Sequence, residues 1–112
     1  MEEIGPDAEA SIFRALADST RRQILQELRS GELAAGEIAS RFPISGPSVS
    51  RHLGVLKGAG LVRERREANR IFYSLVEERL ALCIGRFLSA VCPEEAVSRQ
   101  RRRRASERKE RP

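Results

Sequence analysis

The sequence has one histidine, two cysteines and no long apolar run, and each scarcity removes a class of function. A single imidazole without clustered carboxylates leaves no nucleophile–base pair, so the chain is read as a non-enzyme without a cofactor. Soft metals need several thiolate or imidazole donors, and a lone His52 with no such neighbours is not a metal site. No stretch approaches the roughly 20 apolar residues that a membrane helix requires. The start, Met1 to Asp7, is acidic and lacks the basic and apolar regions of a signal peptide. Cys83 and Cys92 fall nine positions apart on or beside one expected helix. At about 100° per residue they face roughly opposite sides and cannot bridge within it. Two reduced thiols in a cytoplasmic protein are the simplest account.

What the sequence does have is charge, unevenly placed. The 112 residues carry a formal net charge of +5. Residues 94–112 hold eight basic side chains against four acidic ones, so most of the excess belongs to the C-terminal tail. Within the body, the stretch from Arg41 to Arg70 carries seven basic residues against Glu64 and Glu67 alone. Such local asymmetry marks a surface for a polyanion better than net charge does. A chain of this length makes one small domain that buries a modest fraction of its surface, so pairing with a second copy would supplement its core.

Apolar spacing predicts five helices and a hairpin. Ile12, Phe13 and Leu16 share a stripe over residues 8–16. Asp18 is placed to cap a second helix from about Ser19 to Arg29, with Ile24, Leu25 and Leu28 inward and Gly31 ending it. A short third helix covers about Ala35 to Arg41, with Ile38 and Phe42 toward the core, before Pro43 disfavours its continuation. Ser45 then caps a fourth, with Pro47 in its first turn and Val49, Leu53 and Leu56 as its buried side. Gly58 and Gly60 close it. Two strands, Leu61–Glu67 and Arg70–Val76, follow around a two-residue turn at Ala68-Asn69, in which asparagine tolerates positive φ. A fifth helix runs from about Glu77 to Val91, with Leu80, Ile84, Phe87, Leu88 and Val91 on a broad apolar face. The expected fold is mainly α, an α+β winged helix with a helix-turn-helix at about residues 35–58 and a two-stranded hairpin wing. The folded domain spans 1–93. Residues 94–112 are expected to be a disordered basic tail, or at most a fraying helical extension.

Opposite the buried stripe of the fourth helix lie Pro47, Ser48, Ser50, Arg51 and Gly54. A face so free of bulk can enter a groove about 12 Å wide, where Arg51 can donate a bidentate pair to guanine. Ser45 and Ser48 are placed to hold phosphates with the helix N-terminal amides. His52 lies toward the edge of the buried stripe, where a packed histidine and a base-contacting one both fit. Arg65, Arg66 and Arg70 on the hairpin, with Arg63, suit phosphates or a narrow minor groove. As charges on an edge strand they would also block aggregation.

The run Ala17 to Leu25, the step Glu37-Ile38-Ala39, and Val49-Ser50-Arg51-His52-Leu53 followed by Leu56 and Ala59-Gly60-Leu61-Val62 resemble the ArsR/SmtB family of bacterial winged-helix repressors over about residues 10–90. The resemblance implies a homodimer joined through the first and fifth helices, with Ile12, Phe13, Leu80, Ile84, Phe87, Leu88 and Val91 as candidate contacts. It also implies two recognition helices in successive major grooves of an inverted-repeat duplex, and repression by promoter occlusion. Metal-sensing members carry Cys-x-Cys beside the start of the recognition motif; the corresponding positions are Ala34 and Gly36. Others place Asp and His ligands on the last helix, which here offers Glu77 and Glu78 and no histidine. The chain therefore resembles the metal-independent branch, some of whose members are autorepressors. Two alternatives stand beside this reading: a thiol- or metal-responsive repressor using Cys83 and Cys92, and a winged-helix protein–protein adaptor that does not bind DNA.

Overall fold

Gly5 and Pro6 open the first helix, proline taking a position whose missing N–H costs nothing. The computed structural model describes residues 4–110 of the chain. Helix α1 (Pro6–Leu16) is followed by α2 (Ser19–Glu27), capped as the sequence predicts by the Asp18 carboxylate, which accepts from the Arg21 backbone N–H at 3.1 Å. A single 3-10 turn, Leu28–Ser30, tightens the end of α2. Gly31, at φ 141°, then reverses the chain in a region that disfavours other residues.

The next two residues form a strand that sequence reasoning omits. Strand β1 (Leu33–Ala34) leads directly into α3 (Ala35–Ser40), whose Glu37 carboxylate accepts from the Ala34 N–H at 3.1 Å. Helix α4 (Gly46–Gly58) is capped by Ser45, whose hydroxyl accepts from the Ser48 N–H at 3.2 Å. Strands β2 (Val62–Glu67) and β3 (Arg70–Leu75) make the hairpin, and β1 adds to the far edge of β3. The sheet is thus three-stranded and antiparallel in the order β1-β3-β2, with Leu33 opposite Tyr73 and Glu64 opposite Tyr73 from the other side. The hairpin wing is two-stranded as expected; β1 joins it as an extra edge strand, and two residues are too few to show alternation along the sequence.

The turn carries a second correction. The residue with positive φ is Ala68, at 53°, while Asn69 is not among the positive-φ residues. The hairpin register fixes which position must turn left-handed, and the asparagine stands one place too late to relieve it.

Helix α5 (Glu77–Val91) has the bounds its apolar spacing predicts. Beyond it, where disorder or at most a fraying helical extension is expected, residues 94–110 form α6 (Glu94–Glu110). Glutamate, arginine, alanine, glutamine and lysine are strong helix formers, and Glu94 and Glu95 favour the positive end of the helix dipole. Low apolar content argued against a packed element, but it does not argue against helix. Helix α6 is exposed along most of its length, and a cleft of about 410 Å³ between it and α5 is lined by Leu88, Cys92, Val97 and Arg101 among others.

One core holds α1 to α5 and the sheet together. Ile12, Ile24, Ile38, Leu56, Leu61 and Cys83 are completely enclosed. Val49, Leu53 and Leu56 are the buried stripe of α4, as their i, i+4, i+7 spacing predicts. The body thereby fixes α4 on one side and leaves its other side open. Among the described residues, no helix is long and apolar enough to cross a membrane.

Candidate nucleic-acid interface

The open side of α4 is rich in small residues, with Arg51 and the exposed Val55 and Lys57 among them. Pro47, Ser50, Arg51, Gly54 and Gly58 are all exposed, and a methyl group built on Gly54 or Gly58 would meet nothing within 4 Å. Arg51 makes no ion pair or hydrogen bond among the described residues. Ser45 and Ser48 sit at the helix start, where the Ser45 hydroxyl donates to the Ser48 hydroxyl at 2.9 Å. The N-terminal amides of α4 point the same way, so this end offers hydroxyls and the positive end of a helix dipole to an anion.

His52 belongs to a different environment. It is half-buried on the α2 side of α4, with Nδ1 3.4 Å from the Arg21 guanidinium and 4.0 Å from the Asp18 carboxylate. The Arg21 guanidinium also donates to the carbonyls of Ala15 at 2.7 Å and Arg14 at 2.9 Å. One half-buried cation therefore caps the end of α1 and touches the middle of α4. Asp18 titrates below the usual aspartate value, chiefly because its carboxylate accepts the Arg21 N–H. Sequence reasoning found the Asp18 cap but not the Arg21 junction, because nothing in local spacing shows which carbonyls lie near a distant arginine.

The wing arginines divide by face. The alternation of β2 puts Arg63 and Arg65 on one side and Glu64 and Arg66 on the other. Arg65 is fully engaged: it donates to both Glu32 oxygens at 3.1 and 2.6 Å and to Glu67 at 3.0 Å, and its guanidinium lies 4.5 Å over the Phe72 ring. These partners raise its already high pKa and lower that of Glu32. Its geometry makes it the brace of the sheet's outer face. Arg70 lies 5.0 Å from the same ring and 3.9 Å from Glu37. Arg66 is 72% exposed and only 3.5 Å from Glu64, leaving it the most open of the three predicted wing residues.

Glu64 was not singled out from the sequence, and it joins the wing to α4. Its carboxylate accepts from the Tyr73 hydroxyl at 3.1 Å and lies 3.5 Å from Lys57 at the end of α4. The phenol's hydrogen bond, foremost, and these cations hold Glu64 below the ordinary glutamate range; burial and Glu64 raise Tyr73. Helix α4 and the wing thus share one anchored carboxylate.

The residues expected to meet a second copy also divide. Ile12 has no accessible surface within one protomer, so it cannot touch another chain and belongs to the core. Its place on the stripe of α1 was right, but a stripe does not reveal which partner covers it. Phe13 packs edge-on against Phe87 at 5.3 Å, and Leu80 packs partly buried against the core. Phe87 and Val91 remain 49% and 63% exposed, with Ile84 and Leu88 half-buried beside them.

Neither cysteine has a ready partner. Cys83 is completely buried and its thiol is pushed up by desolvation, whereas Cys92 is half-buried. Among the described residues no three histidine, cysteine or acidic side chains come together in a group.

Residues 16–65, spanning α2 to the wing, match the model of a helix-turn-helix domain family. The transcriptional repressor SdpR of Bacillus subtilis is 46% identical over 65 residues, covering 58% of this chain and 72% of that protein. A probable mercury resistance operon repressor of Streptomyces lividans is 40% identical over 87 residues, covering 76% of this chain and 70% of its own length. An ArsR-like regulator from a Rhodococcus species superposes with a TM-score of 0.67 at 30% identity, covering 93% of each chain. The chain belongs to the ArsR family. Membership makes this chain a DNA-binding transcriptional repressor of the ArsR type, not an enzyme, and the sheet and helices above are its winged helix.

Proposed function

We propose that the chain works in the cytoplasm as a homodimer, pairing through α1 and α5 and presenting two α4 helices to successive major grooves of an inverted-repeat operator. The observation that carries this reading is the small, open face of α4. Gly54 in mid-helix costs about 1 kcal/mol relative to alanine, and nothing in the protomer requires the missing methyl. Close approach of a groove wall would require it. On that face Arg51 reads bases, with Ser50 beside it, while Ser45, Ser48, Arg66 and Arg70 hold the backbone. Arg65 and His52 act by positioning: one braces the wing and the other seats α4 on α2. Exposed Phe87 and Val91 on α5 supply apolar surface for the second copy.

Repression without a bound metal is the reading that the donor set supports. Ala34 and Gly36 occupy the places where metal sensors of the family carry cysteines, and Cys83 lies inside the core. The relative named for mercury resistance makes a direct test worthwhile. Selection of bound duplexes from a random pool, with and without metal or oxidant, decides between these readings. The expected product is an inverted repeat with half-sites roughly 10 bp apart, unchanged by either addition. A tenfold metal-induced loss of affinity that chelator reversed and Cys83→Ser with Cys92→Ser abolished would replace it with a thiol-based sensor. Binding to no duplex at all would favour the adaptor reading.

A further inference from the structure

Helix α6 is the largest feature that the reading helix and wing leave unused. Its 17 residues would extend about 25 Å at 1.5 Å per residue. The run 99–104 contains five arginines and no acid, and at about 100° per residue they point around the whole helix. None of them forms an ion pair among the described residues. Arg104 and Arg108 also share a cleft of about 340 Å³ with Arg29 of the folded body, with Glu107 as its acidic lining residue. Cations crowded in this way repel one another until a polyanion arrives.

The helix's composition narrows that partner. A helix that lies on a membrane needs an apolar face, and α6 has only Ala96, Val97 and Ala105 as aliphatic side chains. A second α6 would bring arginine against arginine. Duplex DNA is the polyanion this family binds, and arginines set around a helix meet phosphates without needing any base sequence.

We infer that α6 is a second DNA-contact element, sequence-independent and separate from α4 and the wing. It adds affinity for any duplex and leaves the choice of sequence to α4. The inference needs duplex DNA as ligand but not the dimer or the inverted repeat proposed above.

The test uses the full chain with Arg101, Arg102, Arg103 and Arg104 all changed to glutamine, and a matched variant with the same four changed to lysine. Both are titrated with a random-sequence duplex over a range of salt, with helicity followed by circular dichroism. The glutamine variant should bind on the order of tenfold more weakly at low salt. Its log–log salt slope should be shallower by about one unit for each phosphate left without its arginine. The lysine variant should stay close to the unaltered chain, and sequences selected from a random pool should be the same for all three. Equal affinity and slope for the glutamine variant would overturn the inference. So would equal weakening of both variants, because charge would not be the cause. A random duplex requires no operator, so failure here is distinct from failure to select an inverted repeat.

Discussion

Gly60 separates α4 from the wing, and replacing it with alanine should do measurable harm for two reasons. Its φ of 76° lies where an L side chain is strained, at roughly 1–2 kcal/mol. A methyl group there would also fall 2.5 Å from Arg79 Nε, which donates to the Ala59 carbonyl at 3.1 Å. Moving Arg79 aside sacrifices that bond, worth about 1 kcal/mol net. Allowing for the stiffer unfolded chain, which returns about 0.5 kcal/mol, Gly60→Ala should destabilise by about 2 kcal/mol. For a domain near 100 residues that lowers Tm by about 8–16 °C. Gly54→Ala is the control, since the chemical change is identical. Gly54 is helical with open space around it, so alanine should stabilise by up to about 1 kcal/mol while weakening DNA binding, because the added methyl faces the groove. Urea unfolding of both variants beside the unaltered chain measures the difference directly. A Gly60→Ala protein as stable as its parent would refute the strain and the Arg79 contact together. A Gly54→Ala protein that gained stability and kept its full affinity would remove the argument for close groove approach.

The strained hairpin offers the opposite experiment: Ala68→Gly relieves a positive φ and should raise stability by about 1 kcal/mol in urea unfolding, whereas a loss would mean that the turn is relaxed. Thiol labelling of the native protein should modify Cys92 alone, because Cys83 is enclosed and its thiol is held neutral by burial; rapid labelling of both would contradict the packing of α5. Asp18, Glu32 and Glu64 all titrate below their ordinary values in the folded state. Their stabilisation is therefore complete above the unfolded values near 4 and disappears as pH falls through the lowered folded ones. Urea midpoints should decline below about pH 4, less steeply for Asp18→Asn, which retains the cap; stability that rose on acidification would reverse the sign of the account.

Local signals in the sequence located most of the fold because each depends on near neighbours. The caps Asp18 and Ser45, the stop at Gly31, the stripe Val49-Leu53-Leu56 and the face of α5 need only a few turns of chain to be read. Features that depend on distant partners were out of reach. The pairing of β1 with β3, the enclosure of Ile12 and the engagement of Arg65 by Glu32 depend on residues far apart in sequence, and the Glu64 bridge from Tyr73 to Lys57 depends on how the hairpin docks on α4. The tail left disorder and a helical extension both open for another reason: composition reports whether a segment can build a core, and α6 is helical without building one. The candidate site followed the same division. The sequence identified which residue types face away from the core on α4, whereas only the fold separates Arg51 and Arg66, which are open, from Arg65 and His52, which are held by partners.

The most direct test of the central claim is the ratio of operator to scrambled-duplex affinity for the unaltered chain and for Arg51→Ala. Arg51 lies on the open face of α4 with no ionic partner among the described residues. Its removal should cost about 1–3 kcal/mol on the operator, leave scrambled DNA much less affected, and blur one base position in each half-site. If Arg51→Ala weakened both duplexes equally, or left the ratio and the selected sequence unchanged, α4 would not be the element that reads the DNA.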